Sequence, residues 1–194
     1  GWRRAGDLIY LMGIGIDTIS IAFPEHTASS PTLGASEYLA VIHHTVAGQP
    51  PRVDDALERT VQLTCRTGLQ QERIASAHDS ADGGLATALA ECCISGNRGA
   101  NIQLSVNADF TGRWDTLLFG ESGARILVSV SPIHQAAWEE FLAESMGDRW
   151  TYLGTVGSAT DPLTIQTADN HLIVQVAGSD MGDRWHSALE RRMS

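Results

Sequence analysis

Residues 74–91 read Ile-Ala-Ser-Ala-His-Asp-Ser-Ala-Asp-Gly-Gly-Leu-Ala-Thr-Ala-Leu-Ala-Glu, and they tie the chain to one local architecture. Ile74 to Ala77 is a short apolar run of the kind that forms a buried strand. A polar turn follows, and Gly83-Gly84 opens an alanine-rich helix whose apolar stripe is Leu85, Leu89, Cys92 and Cys93. A strand, a glycine turn and a helix N-terminus make a place where backbone N–H groups can face an anion. Asp79 and Asp82 sit in that turn. Mg²⁺ prefers a few carboxylates together with phosphate oxygens and waters, so the two acids can hold the ion against a phosphate there.

The flanking sequence supplies further elements. Leu8 to Met12, ended by Gly13, reads as a buried strand. Residues 14–33 carry Pro24, Pro31 and Thr27-Ala28-Ser29-Ser30, the composition of a loop or insertion. Ser36 precedes a helix beginning at Glu37 and ending near Gly48. Asp54 begins a second helix through about Thr67, with Leu57, Val61, Leu63 and Cys65 inward. Asn101 to Val106 alternates as a half-buried strand, residues 114–118 make a helical turn, and Arg125 to Val130 is another strand. Pro132 opens a helix carrying Trp138, Phe141 and Leu142. Strands at 152–156, 163–165 and 171–176 precede a final helix from about Met181, which carries Trp185 and Leu189 and ends in Arg191-Arg192. Helices and strands interspersed in this way predict an α/β (α+β) layered sandwich, a mixed sheet flanked by helices. Met-Gly-Asp-Arg-Trp occurs at 146–150 and again at 181–185, but with no longer period behind it this is not a repeat architecture.

Length and charge narrow the function. The 194 residues suffice for one well-buried domain, taken as 1–194, and not for two large ones. A formal net charge of −10 speaks against nucleic acid as a partner, since phosphate-backbone affinity needs clustered Lys and Arg. A basic membrane-surface helix is equally unsupported. The cysteines, Cys65, Cys92 and Cys93, form neither a metal spacing nor a disulfide framework, and a thiol of the 92–93 pair reads as core packing. No apolar run reaches a membrane span and no signal peptide is visible, which predicts a cytoplasmic protein. A start at Gly1 that runs directly into a strand is expected of a piece excised from a longer polypeptide.

Each candidate has a structural reading beside the chemical one. Asp82 before Gly83-Gly84 suits a helix N-cap, worth about 1 kcal/mol. Asp79, at a strand end, divides between capping and metal or nucleotide contact. His78 reads as a backbone hydrogen-bonding partner rather than a general base. His43-His44 have no third ligand at metal spacing and read as alternating between solvent and core. Glu121, Ser122 and Arg125 surround Gly120 and Gly123. Arg125 can clamp a phosphate, helped by the turn's N–H groups, or the turn can be closed by a Glu121–Arg125 ion pair. Ser122 lies outside a Gly-x-Ser-x-Gly elbow, so a hydrolase triad is not indicated. Ser36 reads as an N-cap without a capping box.

Six blocks then occur in order: Gly6-Asp7-Leu8-Ile9-Tyr10-Leu11-Met12-Gly13, Leu33-Gly34-Ala35-Ser36-Glu37-Tyr38-Leu39, Ser76 through Leu85, Ala88-Leu89-Ala90-Glu91, Leu118-Phe119-Gly120-Glu121-Ser122 with Arg125, and Leu153-Gly154-Thr155-Val156-Gly157. Over nearly its whole length the chain resembles the C-terminal domain of the second half of the phosphoribosylformylglycinamidine synthases, within the aminoimidazole ribonucleotide synthetase superfamily. The resemblance implies an ATP-dependent carbon–nitrogen ligase of purine biosynthesis, built from paired ATP-binding and C-terminal domains. It implies Mg²⁺ and ATP or ADP in the full-length context, none held tightly by this piece alone. The implied partners are the ATP-binding and sister domains of the same polypeptide and a glutaminase supplying ammonia.

By the same resemblance Asp79, with Asp82 beside it, falls at a metal-holding position. Gly83, Gly84, Glu121, Ser122 and Arg125 would form a nucleotide or phosphate half-site. Two positions depart from the family pattern: Gly123 stands where glutamine is usual, and Ala81 where serine is. The stretch 14–33 is also longer than the family's turn. A purely structural domain is the competing expectation, and a selenophosphate synthetase, thiamine-monophosphate kinase or hydrogenase maturation factor is a third. A domain separated from its neighbours should expose an apolar face and can form a homodimer.

Overall fold

The computed structural model describes residues 1–15 and 31–193. Most of the expected 14–33 insertion therefore lies outside the described residues, as do the side chains of Leu189, Arg191 and Arg192. The strands are β1 (Leu8–Gly13), β2 (Ile74–Asp79), β3 (Ala100–Gln103), β4 (Arg125–Val130), β5 (Trp150–Val156), β6 (Leu163–Gln166) and β7 (Leu172–Val176). They form one sheet in the order β2-β4-β1-β5-β3-β6-β7. β3 and β6 run parallel, and every other neighbouring pair is antiparallel, so the sheet is mixed as expected.

The centre of the sheet explains the unbroken apolar run of β1. Strands buried on both faces read as continuous hydrophobic stretches. Ile9 and Leu11 enter one core and Leu8, Tyr10 and Met12 the other. The first core is roofed by α3 (Gly84–Gly96), with α4 (Trp114–Phe119) and Met181 of α6 (Gly178–His186) joining it. The second lies under α2 (Asp55–Gln70) and α5 (Gln135–Met146), where Trp138 and Leu142 are fully buried. Two short helices, α1 (Glu37–Ile42) and α7 (Ala188–Met193), stand outside these layers.

Asp54 caps α2 as anticipated, accepting from the Leu57 N–H at 3.0 Å. The buried face is Leu57, Val61, Thr64, Cys65 and Gly68, a true helical stripe. Leu63 points outward, because the spacing 57, 61, 65 leaves residue 63 on the opposite side. β2 is not a buried strand but a half-exposed edge, so its small residues need only one covered face. α1 ends at Ile42, leaving His43 and His44 exposed beyond it rather than alternating along a helix. β3 stops at Gln103, although Leu104 and Val106 still reach the core. The final helix starts at Gly178 and is interrupted at Ser187, with Trp185 exposed.

Both adjacent thiols are buried, and burial pushes Cys92 up to about 12 and Cys93 up to about 11. Unfolding restores ordinary thiol acidity, so the unfolded chain releases these protons first. Stability should therefore fall as pH rises above about 9, and thiol reagents should reach Cys92 and Cys93 only after denaturation. Reagent titration with and without urea measures this. Gly13 gives a second expectation. Its φ is +98°, and a methyl there would lie 1.6 Å from the Ala124 carbonyl oxygen. Gly13→Ala should cost about 3 kcal/mol or more in urea melts.

Candidate functional site

One end of the sheet gathers the residues singled out above. Asp79 closes β2, residues 80–83 turn into α3, and the 120–124 turn leads into β4. Gly83 and Gly84 both have positive φ, +74° and +71°, which non-glycine residues rarely adopt. A Cβ on Gly84 would also lie 2.7 Å from the Gly120 carbonyl oxygen. The pair thus lets the start of α3 press against the end of α4.

Glu121 holds this junction. Its Oε1 accepts the Gly83 N–H at 2.8 Å and the Glu37 N–H at 2.9 Å. One carboxylate therefore sits at the beginning of both α3 and α1, where the helix dipoles favour negative charge. Its backbone also forms a two-bond bridge with Thr32. The alternative ion pair with Arg125 is not formed. Nor does Asp82 cap α3: the cap position is Gly83, with no side-chain bond of its own. The Gly84 N–H is engaged too, donating to the Ala81 carbonyl at 3.3 Å. The carboxylate of Glu58, from α2, accepts the Ala124 N–H and latches the turn from its other side.

Arg125 lies behind the turn and is only 3% exposed. Its Nη1 donates to the Gly120 carbonyl oxygen at 3.2 Å, while Nε and Nη2 have no partner among the described residues. Burial depresses its pKa to about 10. The Ser122 and Ser80 hydroxyls are likewise buried and unpartnered. Ser80 also donates its backbone N–H to the Arg125 carbonyl at 2.9 Å. A buried guanidinium with one neutral partner is costly, since desolvating a charge is repaid only by an opposite charge or a full set of hydrogen bonds. An anion is the group this arrangement suits.

Asp79 and Asp82 are exposed, and neither carboxylate has a hydrogen-bonding partner among the described residues. Those residues contain no cluster of three or more His, Cys, Asp or Glu able to hold a metal. Two free carboxylates fit a share of a Mg²⁺ shell completed by water and phosphate oxygens, not a closed protein site. His78 pairs with the Glu91 carboxylate at 2.8 Å instead of with backbone, which occupies it structurally. An open groove of about 690 Å³ lies away from these residues, across β3, β5, β6 and β7.

Ser36 caps α1 as expected, 3.3 Å from the Leu39 N–H, and Tyr38 stacks on Phe119 with ring centroids 4.9 Å apart. α1 nevertheless buries none of its residues. Val41, Ile42, Val46 and Val53 are 49–84% exposed on α1 and the segment after it. Contiguous exposed apolar side chains mark interaction surfaces.

Residues 4–162 match the family of AIR synthase related proteins, C-terminal domain, and the chain belongs to that family. Among its relatives, the phosphoribosylformylglycinamidine synthase subunit PurL of Nostoc punctiforme is 50% identical over 194 residues, covering 100% of this chain and 23% of that protein. The chain thus spans about a quarter of the length of the curated relatives it matches. Thermotoga maritima PurL complexed with FGAR superposes with a TM-score of 0.67 at 17% identity, covering 93% of this chain and 28% of the other. The same protein complexed with ATP gives 0.64 at 17% identity, with coverage of 93% and 26%. At these identities the structural likeness establishes the fold, a mixed sheet with helices.

Sequence reasoning missed Ser80 and Glu58. Ser80 is visible only as one more polar turn residue, and nothing local links Glu58 to a turn more than sixty positions away. Because Glu121 supplies hydrogen bonds to two helix starts, Glu121→Ala should destabilise the fold by about 1–2 kcal/mol. Amide exchange at Glu37 and Gly83 should accelerate first, while exchange in β1 should change only with global stability.

Proposed function

We propose that this chain is the C-terminal domain of the second half of a phosphoribosylformylglycinamidine synthase, an ATP-dependent carbon–nitrogen ligase of purine biosynthesis in the cytoplasm. In this reading it contributes one wall of a nucleotide or ribonucleotide-phosphate site. The other wall belongs to ATP-binding and sister domains of the longer polypeptide, which docks with a glutaminase supplying ammonia. The 50% identity to a PurL subunit across the whole chain supports the family assignment. The observation that carries the site is Arg125: a buried cation whose Nε and Nη2 have no partner among the described residues, in a turn region where the buried Ser122 and Ser80 hydroxyls also have none among them.

The roles divide by geometry. Arg125, with Ser122, faces the anion. Glu121, Gly83 and Gly84 build the frame, because their polar groups are already engaged. Asp79, with Asp82, holds Mg²⁺, which when bound supplies positive charge against phosphate oxygens. In this reading the chain supplies binding groups to a site completed by other domains, so the isolated chain should turn nothing over.

Arg125→Met separates this reading from its rival. Removing an unpaired buried charge should raise Tm of the chain, since an apolar replacement escapes the desolvation cost. In the full-length enzyme the same change should weaken nucleotide or ribonucleotide binding by about tenfold or more. Asp79→Asn should lower Mg²⁺ affinity without changing Tm. The second reading, a domain that only packs, is favoured by Glu121, whose carboxylate occupies a helix start where a phosphate would bind. Unchanged ligand and metal affinities in both variants would establish it.

A further inference from the structure

Among the described residues β2 ends the sheet, paired with β4 on one side and open on the other. Proteins usually protect such edges with lysine, proline or covering loops. Ile74-Ala75-Ser76-Ala77 has neither charge nor proline, and Ala77 is exposed. The strand's two ends carry opposite charge. At its start an open groove of about 610 Å³ is lined by Ile74, Ala75, Arg3, Arg4, Arg73 and His134, with Glu72 as the one acid. This concentration of arginine stands out in a chain of net charge −10. At the strand's other end lie Asp79 and Asp82, exposed and without a hydrogen-bonding partner among the described residues.

We propose that β2 pairs with β2 of a second copy of this chain, antiparallel about a two-fold axis at Ala77. The pairing sets Ala75 opposite the partner's Asp79, Ser76 opposite the partner's His78 and Ala77 opposite the partner's Ala77. Each basic groove then receives the acidic 79–82 turn of the other copy. Charge selects this arrangement, because parallel pairing would set arginine against arginine and aspartate against aspartate. The contact is isologous and closes on itself, joining two seven-stranded sheets into one. A six-residue edge buries less than the roughly 1,200–2,000 Å² of a standard interface, so the dimer is weak and weakens further with salt. This inference does not rest on the ligand site around Arg125. It does place Mg²⁺ at Asp79 in competition with the second copy.

Sedimentation velocity of the chain over a range of concentrations tests the pairing. The expected result is a monomer–dimer equilibrium whose Kd rises about tenfold on moving from low to moderate salt. Ala77→Lys changes an exposed side chain, so Tm should hold while two lysines meet at the axis and the dimer is lost. Arg4→Asp and Asp82→Arg should each weaken association, and the double variant should restore it, because both contacts are then reversed together. A monomer at every concentration overturns the proposal, as does a dimer that Ala77→Lys leaves intact. Inorganic phosphate that binds at Arg3 and Arg4 while the chain stays monomeric overturns it in favour of a simple anion groove.

Discussion

The carboxylate of Glu121 accepts N–H groups at the starts of two helices that are far apart in sequence and meet at one end of the sheet. Helix starts carry unsatisfied donors and partial positive charge, and two of them brought together repel unless an acceptor stands between. α1 depends on this more than α3 does. Six residues with no buried side chain cannot hold a helix by propensity, since nucleation costs more than so few bonds return. Glu121, the Ser36 cap and the Tyr38–Phe119 stack hold it in place. The same carboxylate therefore helps to position Val41 and Ile42, the exposed apolar residues at the end of α1.

Glu121 and Arg125 stand four residues apart and do not neutralise each other. The acid turns toward backbone N–H groups, and the base turns inward to a single carbonyl. Had they paired, the turn would be electrostatically self-sufficient, and the helix starts would lose their acceptor. Their separation leaves an excess negative group committed to structure and an excess positive group held dry. A buried charge without a counter-ion opposes folding, so its retention points to something outside these residues that compensates it. At Gly123, among the described residues, an added Cβ would meet only the Glu58 Oε2, at 3.3 Å.

The sequence made the fold readable wherever periodicity reports burial. β1 and β4 were legible as apolar runs, and the α3 stripe of Leu85, Leu89, Cys92 and Cys93 was legible as a helix face. It failed where the outcome depends on a distant neighbour. β2 has the same small apolar residues whether it lies in the middle of a sheet or at its edge, and only the strand order decides. Asp82 looks like a cap because it precedes a glycine pair, yet the acceptor at that helix start arrives from Glu121, thirty-eight positions later. The Glu58 latch has no local signature for the same reason. The candidate turn residues could be named from the sequence and their hydrogen-bonding partners could not, since composition does not say which carboxylate is already engaged.

β2 joins these observations physically. Its last residue, Asp79, stands at the proposed ligand end, and its first residues border the arginine groove at the other. It connects α2 over one core to α3 over the other, so both layers meet on a strand with one free edge. Its pairing to β4 shifts register between Ile74 and Ser76 and runs regularly from Ser76 to Asp79. At that end the two strands are closely joined: Asp79 faces Ile126, and the Ser80 N–H bonds the Arg125 carbonyl. The edge and the proposed ligand site thus share one strand, with an acidic turn at one end and a basic groove at the other.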